Sequence, residues 1–282
     1  MILITWNVQW CRGVDEQVDP ARIARVAREL ADFDVLCLQE VAVNFSGLAG
    51  SRGEDQMADL AAALPGYVPL FGPGTDLDDG SGKRRQFGNA MFTRLPVLQV
   101  FRHLLPWPPD ETVPSMQRAA LEVVVQSGEQ PLRVITTHLE YYSQHQRAAQ
   151  SEHLLRLHSE ACAHARGSRP AKAAGSPFDV VARPASAILC GDFNCKSSAW
   201  EYAQITASPR AADVPQFVDA WTLKHANQAH PPTFLVHDPS ASAYGCDFVF
   251  VTDDLAERVR SIEVNGDVDA SDHQPVIVEL QI

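Results

Sequence analysis

The sequence predicts an α/β fold in which two mixed β-sheets pack face to face and helices cover their outer surfaces. Runs of residues typical of strands outnumber helical patterns along the 282 residues. Many neighbouring strands are joined by short turns, which only antiparallel pairing allows, so a purely parallel doubly wound sheet is not expected. Hydrophobic residues make up 45% of the chain, which is enough for a sizeable core.

Strands and helices alternate in the first third of the chain. Residues Ile2–Val8 form the first expected strand. Asp19 is a suitable N-cap for a helix that has proline at its first position and apolar residues on one face. A buried strand over Asp34–Gln39 ends at Glu40, and a second helix covers Glu54–Leu64.

The middle of the chain contains several strand candidates and one long helix. A loop rich in glycine and aspartate is expected over Gly72–Gly88. The helix covers Ser143–Ala165, and its four histidines are expected as surface or boundary residues because no matched carboxylate accompanies them. The predicted strands are Tyr67–Phe71, Asn89–Thr93, Val97–Phe101, Ala119–Val125 and Leu132–Leu139.

The last third contains a segment of different composition. Residues 167–186 are rich in Ala, Pro, Gly and Ser, and we expect an exposed insertion within a single domain that spans residues 1–282. A short helix is expected over Ser198–Gln204. The predicted strands are Ala187–Cys190, Asp247–Val251, Val259–Val264 and Pro275–Leu280.

Composition limits the function classes. The net charge of -12 argues against a broad electrostatic grip on nucleic acid, although local recognition of a phosphodiester remains open. The N-terminus shows no signal peptide, and no apolar run approaches the ~20 residues that span a bilayer. Six cysteines without a Cys-x-x-Cys pair suggest reduced thiols. We therefore expect a cytoplasmic protein without a membrane anchor.

Polar side chains follow or precede the apolar strands at several points along the chain. If these strand ends meet, their carboxylates, carboxamides and imidazoles would form a site for a hard metal ion and for proton transfer. The candidates are Asn7, Glu40, His138, Asp192 with Asn194, Asp247, and Asp272 with His273.

Each candidate alone also has an ordinary structural interpretation. Asn7 is a carboxamide that needs a partner inside the fold, and His138 could be a core histidine bound to a backbone carbonyl. Glu40 is costly to bury unless it is paired or bound to a cation. Asp192 and Asn194 face the same way on an extended chain, which suits binding one water or one oxyanion.

The motifs taken together resemble the endonuclease/exonuclease/phosphatase superfamily. The family shows, in this order, an Asn after the first strand, Gln-Glu, Thr-His-Leu, Gly-Asp-Phe-Asn, an Asp before an apolar strand, and Ser-Asp-His near the C-terminus. The matches begin at Asn7, Gln39, Thr137, Gly191, Asp247 and Ser271. The resemblance therefore extends over nearly the whole chain.

The resemblance implies a four-layer αββα sandwich and a phosphoesterase that uses Mg²⁺ or Mn²⁺. It implies that Glu40 binds the metal, with Asn7 and Asp272 in or near the coordination sphere. Asp192 and Asn194 would position and activate the attacking water, which displaces the leaving group in line. The implied roles of three further residues concern the phosphate: His273 contacts it, Asp247 holds that imidazole, and His138 donates to it or assists the leaving group.

Four further residues are candidates for substrate contacts. Arg118 matches an arginine that binds a phosphate oxygen in deoxyribonuclease-like members, and its alternative is a solvated strand-end cation. Lys196 could reach a phosphate or be a solvated loop residue, and Asn89 could support His138 or the phosphate. Phe234 falls where nuclease relatives stack an aromatic residue on the substrate, with core packing as the equal alternative.

The leading functional hypothesis is a metal-dependent phosphodiesterase of the nuclease type that acts as a monomer. Nucleic acid is the first substrate expected, and a small-molecule or lipid phosphoester is the alternative. A non-catalytic binding protein of the same fold would be expected to lose the acids and imidazoles that this chain keeps. A zinc hydrolase fits less well, because the candidate ligands are mostly oxygen donors.

Overall fold

The computed structural model describes residues 1–167, 175–207, 213–226 and 228–282, which form two six-stranded sheets. Strands are numbered along the chain. The first sheet contains, in spatial order, β11 (Val259–Val264), β12 (Val276–Leu280), β1 (Ile2–Asn7), β2 (Val35–Val43), β4 (Arg84–Thr93) and β3 (Val68–Asp78). The second contains β5 (Val97–Leu104), β6 (Ala119–Ser127), β7 (Gln130–His138), β8 (Ala187–Asp192), β10 (Asp247–Thr252) and β9 (Phe217–Asp219).

Both sheets are mixed, as predicted. The pairs β1–β2 and β7–β8 are parallel, and the other neighbours are antiparallel. The helices are α1 (Pro20–Leu30), α2 (Gln56–Ala63), α3 (Gln144–Arg166), α4 (Trp200–Thr206) and α5 (Ala220–Lys224). Asp19 caps α1 as predicted, since its side chain accepts from the backbone N–H of Arg22.

Alternating apolar residues on the strands build three cores. Leu3 packs with buried residues of both sheets, such as Val123, so one core lies between the sheets. Its neighbour Ile4 faces the other side and packs against α1 and α2. Leu189 of β8 packs with Leu154 of α3 and with residues of α4 on the far side. The four-layer αββα sandwich is thereby confirmed.

Three local predictions were wrong, and two short elements were not predicted. The predicted loop at Gly72–Gly88 is mostly a hairpin of β3 and β4, because pairing continues as far as Asp78 opposite Arg84. The strand expected to stop at Glu40 runs on to Val43. His158 of α3 is buried and not a surface residue, since Arg133 donates to its ring. The short elements β9 and α5 were not predicted, because they are too brief for a periodic pattern.

The predicted insertion at 167–186 is only partly described, because residues 168–174 lie outside the described residues. Residues 175–182 are mostly exposed, but Arg183 is buried and pairs with Glu122 of β6 at 3.0 Å. The later part of the segment is therefore anchored to the second sheet. Within the described part of the chain, each helix is too short or too polar to cross a membrane.

Candidate active site

The strand order brings the predicted polar side chains to one rim of the two sheets. Parallel pairing of β1 with β2 places Asn7 opposite Gln39. Parallel pairing of β7 with β8 places His138 opposite Asp192, and antiparallel β10 begins there because Asp247 pairs with Asp192. Since the carboxyl ends of parallel strands lie at the same edge, residues far apart in the sequence become neighbours.

A β-bulge turns Glu40 toward this rim. Gln39 and Glu40 of β2 together face the single residue Asn89 of β4, and Glu40 has a φ of +62°. Gln39 stays between the sheets, where its Nε2 donates to the hydroxyls of Thr5 at 3.1 Å and Thr136 at 2.9 Å. The bulge thus allows one residue to join the two sheets and the next to reach the site.

A glycine is required where β8 leaves the sheet. Gly191 has a φ of +132°, and a Cβ added there would overlap the backbone of Thr137. Asn194 has a φ of +49°, and its backbone N–H donates to Asp192 Oδ1 at 2.8 Å. Asp192 and Asn194 therefore meet through a tight turn, and not on the extended chain that their spacing in the sequence suggested.

Asn7 connects acids from the two sheets. Its Nδ2 donates to Glu40 Oε1 at 3.1 Å and to Asp192 Oδ2 at 2.9 Å. Its Oδ1 accepts from the backbone N–H of Gln9 at 3.1 Å. The resemblance implied that Asn7 lies in or near the coordination sphere of a metal. The structure places it beside the acids but turns toward them an amide nitrogen, which does not ligate a cation.

His273 is held from behind by a buried acid and a hydroxyl. Its Nδ1 donates to Asp247 Oδ2 at 2.9 Å, and the hydroxyl of Thr233 donates to the same oxygen at 2.6 Å. Burial alone lowers the pKa of His273, but the charges of Asp247 and Asp192 outweigh it and raise this pKa to about 10. The ring is therefore an imidazolium at neutral pH, which suits contact with an anion.

His138 has the opposite charge state. Asn194 donates one amide hydrogen to His138 Nε2 at 2.9 Å and the other to the Leu139 carbonyl at 2.8 Å. Burial, followed by the positive charges of Arg118 and His273, lowers the pKa of His138 well below its usual range. His138 is therefore neutral, and in this arrangement its Nε2 is an acceptor.

Arg118 is buried and only partly paired. Its Nε donates to Oε2 of the buried Glu140 at 3.2 Å. Its Nη1 is also buried and has no hydrogen-bond partner among the described residues. A buried donor without a partner is costly, so this guanidinium is prepared for an anionic ligand.

These groups line one open cleft with a volume of about 310 Å³. Its lining divides into polar and aromatic side chains. The polar ones are Gln9, Glu40, Arg118, His138, Asp192, Asn194, Asp272 and His273. The aromatic ones are Trp10, Tyr141, Tyr142 and Phe234.

Two predicted substrate contacts lie outside this cleft. Asn89 is buried and donates to the carbonyl of Ala119 at 2.8 Å, beneath Arg118. Lys196 is exposed, and its Nζ lies 5.3 Å from the ring centroid of Tyr244. Asn89 therefore supports the start of β6, directly after Arg118, and Lys196 points to an aromatic ring outside the cleft lining.

Several residues of the site were not predicted from the sequence. Gln9 donates to Asp272 Oδ2 at 2.6 Å, and Glu140 and Thr233 hold Arg118 and Asp247. Their position in the sequence could have pointed to them, because these residues stand within a few places of the recognised motifs. The missed residues are Gln9, Trp10, Glu140, Tyr141, Tyr142 and Thr233.

The negative charges of the acids in and behind the cleft repel one another. Burial, followed by the charge of Asp272, raises the pKa of Glu40 to about 7. Burial, followed by the charge of Asp247, raises the pKa of Asp192 to about 6, and burial also raises the pKa of Asp272. A divalent cation would relieve this unfavourable negative charge, and carboxylate oxygens are the donors that Mg²⁺ and Mn²⁺ prefer. Glu40 and Asp272 therefore fit such an ion.

A second set of potential ligands fits a metal less well. One atom each of Asp192, Cys246 and His273 lies within 4.8 Å of the other two. Burial, followed by the charges of Asp192 and Asp247, raises the pKa of the Cys246 thiol well above its usual range. A protonated thiol and an imidazolium are poor ligands, because metal ions bind their deprotonated forms.

Two face-packed mixed sheets that gather acids and imidazoles at one rim are the arrangement that the resemblance to a family of phosphoesterases implied. The chain belongs to the endonuclease/exonuclease/phosphatase family, whose sequence model matches residues 4–273. A search of curated protein sequences found no match.

Solved structures share the fold at low sequence identity. An endonuclease/exonuclease/phosphatase from Beutenbergia cavernae DSM 12333 is 23% identical, with a TM-score of 0.67 over 100% of this chain and 71% of its own. The mannosyl-6-phosphatase Bt3783 of Bacteroides thetaiotaomicron VPI-5482 is 19% identical, with a TM-score of 0.66 over 100% of both chains. The human Nocturnin catalytic domain is 19% identical, with a TM-score of 0.66 over 100% of this chain and 93% of its own. At these identities the comparison shows the fold alone.

Proposed function

We propose that the protein is a phosphodiesterase that depends on Mg²⁺ or Mn²⁺ held by Glu40 and Asp272. The observation that carries this proposal is the meeting of these acids with Asp192 and the protonated His273 in one cleft. A bound divalent cation neutralises charge on the phosphodiester and makes bound water more acidic.

Asp192 is the proposed general base. It is held by Asn7 Nδ2 and by the backbone N–H of Asn194, so one carboxylate orientation is favoured. A raised pKa of about 6 suits a base that works near neutral pH. With Asn194 beside it, Asp192 positions one water for in-line attack on phosphorus, which inverts the configuration there.

Two cationic groups are proposed to bind the phosphate oxygens. His273 stays charged through Asp247, and Arg118 lines the same cleft and has an Nη1 without a partner among the described residues. Both would stabilise the negative charge of the pentavalent transition state. His138, with Nε2 3.4 Å from Asp192 Oδ2, must change tautomer or take up a proton before it donates to the phosphate or leaving group.

The substrate proposed is compact. A cleft of about 310 Å³ accommodates a phosphate and one or two ester groups, and the net charge of -12 disfavours a long duplex. A nucleic-acid strand end or small nucleotide ester is therefore the first candidate. A small-molecule phosphoester is the second, and it is favoured by the same acidic charge.

A substrate screen tests the proposal. Bis-p-nitrophenyl phosphate, single-stranded DNA, RNA and sugar phosphates are incubated with Mg²⁺, Mn²⁺ or EDTA. We expect phosphodiester hydrolysis that needs the metal and falls at least ~10²-fold in Asp192→Asn. Hydrolysis that survives full chelation, or an unchanged rate in Asp192→Asn, would contradict it.

A further inference from the structure

Three aromatic side chains of the cleft lining contact one another in a series that begins at His273, and the planes of the three rings are close to perpendicular from one to the next. The ring of Phe234 lies 4.5 Å from the ring of His273, and the ring of Tyr141 lies 6.4 Å from that of Phe234. Tyr142 continues the series, with its ring 4.9 Å from that of Tyr141. We call Phe234, Tyr141 and Tyr142 the aromatic strip, and all three line the same cleft.

The outer part of the strip is exposed although its backbone is firmly held. Tyr141 is 43% exposed and Tyr142 is 60% exposed. Between His138 and α3, the buried Glu140 accepts from the backbone N–H of Tyr142 at 3.0 Å. Arg147 donates to the carbonyls of Glu140 at 2.9 Å and Tyr141 at 3.0 Å. Two tyrosine rings are thus presented to solvent on an ordered backbone, which lowers the entropy cost of binding a ligand.

The inner end of the strip has a fixed relation to the catalytic imidazole. Backbone N–H and carbonyl groups of Phe234 pair with Tyr244, and the preceding carbonyl of Thr233 accepts from Gln274. An isolated bridge also pairs Phe234 with His273. A phosphate bound at His273 would therefore lie beside Phe234, the inner ring of the strip.

We propose that the aromatic strip binds a planar ring carried by one ester group of the substrate. This inference rests on the proposed phosphodiesterase function and names the substrate class. Aromatic faces stack on nucleobases and other flat rings, whereas a short saturated chain gains much less. Arg118 lines the same cleft, and its positive charge independently suits an anion. The site therefore suits a phosphoester in which a flat ring lies close to the phosphate.

Titration calorimetry with three phosphomonoesters tests the subsite. Ethyl phosphate, phenyl phosphate and thymidine 5′-phosphate share the anionic group and differ in the ring. We expect wild type to bind the two ring-bearing compounds at least about fivefold more tightly than ethyl phosphate. The double variant Tyr141→Leu with Tyr142→Leu should lose this preference, and the double phenylalanine variant should keep it.

A control variant shows whether the ring preference belongs to the aromatic strip or to any exposed aromatic residue. Trp200 is 44% exposed and lies outside the cleft lining, so Trp200→Leu should keep the wild-type preference. Tighter binding of thymidine 5′-phosphate than of phenyl phosphate would identify a nucleobase, and equal binding would identify any aromatic ester. A wild type without ring preference, or a leucine variant that keeps it, would overturn the subsite.

The same samples distinguish failure of the subsite from failure of the proposed function. Turnover of bis-p-nitrophenyl phosphate is measured in parallel with Mn²⁺. Turnover without any ring preference overturns the subsite alone. Ring preference without turnover of any phosphodiester overturns the proposed function and leaves the subsite supported.

Discussion

Replacing Thr233 by valine removes one hydroxyl and keeps the branched shape of the side chain. Thr233 is 1% exposed, and its Oγ1 accepts from the backbone N–H groups of Cys246 at 3.1 Å and Asp247 at 3.3 Å. Because Oγ1 accepts these two bonds, its own proton is directed to Asp247 Oδ2 at 2.6 Å. Valine supplies neither the donor nor the acceptor.

The expected size of the effect follows from the surroundings of Asp247. A hydrogen bond to a charged group contributes about 1.5–3 kcal/mol. Asp247 Oδ1 has no partner among the described residues, so without Thr233 the bond from His273 becomes the main restraint on the carboxylate. If the loss of this hydrogen bond weakens the stabilisation of the transition state by His273 by the same energy, kcat falls about 10- to 100-fold.

Steady-state kinetics on bis-p-nitrophenyl phosphate with saturating Mn²⁺ measures this effect. We expect Thr233→Val to lower kcat by that factor and to leave KM within about threefold, because the hydroxyl does not touch the substrate. Thr233→Ser keeps the hydroxyl and loses only the methyl group, so it should retain most of kcat. A valine variant as active as wild type, or a serine variant as impaired as valine, would refute the reasoning. Urea unfolding verifies that both variants are folded.

Two further predictions concern stability. His158 Nδ1 accepts from Arg133 Nη2 at 2.7 Å, and burial followed by the charge of Arg133 lowers the pKa of His158 to about 4. The unfolded chain binds this proton near pH 6.5, so stability should fall as the pH drops from 6.5 to 4, by up to about 3 kcal/mol. Urea unfolding should show a shallower pH slope in His158→Gln, and equal slopes would contradict the assignment. Gly191→Ala should lower the free energy of unfolding by at least about 2 kcal/mol, because backbone strain and overlap add. Gly80→Ala, also at positive φ but in open space, should cost about 1 kcal/mol, and equal losses would show that overlap is unimportant.

The layer architecture could be predicted because it depends on local pattern. Leu3 and Ile4 are adjacent and face different cores, as alternation along a strand requires. The position of Asp19 before a proline was enough to locate the start of α1. The order of the strands within each sheet was not available from pattern.

Features that depend on a partner strand could not be predicted. The bulge at Glu40 exists because Gln39 and Glu40 share one partner on β4, which the sequence of β2 alone does not reveal. The hairpin over Gly72–Gly88 has a composition typical of loops, yet cross-strand pairing such as Asp76 with Arg84 at 2.8 Å supports it. Local propensity was overridden there by pairing.

Only part of the candidate site could be predicted from the sequence. Motif residues were recognised because each stands beside an apolar strand. The supporting residues Thr233, Glu140 and Gln9 escaped notice, because their importance lies in which side chain they contact. Tyr141 and Tyr142 were also missed, since exposed aromatic residues in a sequence do not reveal that they line a cleft.

Titration of Mn²⁺ into the protein tests the central claim most directly, because it needs no substrate. Wild type should bind Mn²⁺, and Glu40→Gln and Asp272→Asn should each weaken binding at least about tenfold. Glu279→Gln, at an exposed acid of β12, should bind as wild type does. Unchanged Mn²⁺ affinity in both cleft variants would show that these acids do not hold the cation, and the proposed mechanism would fail with them.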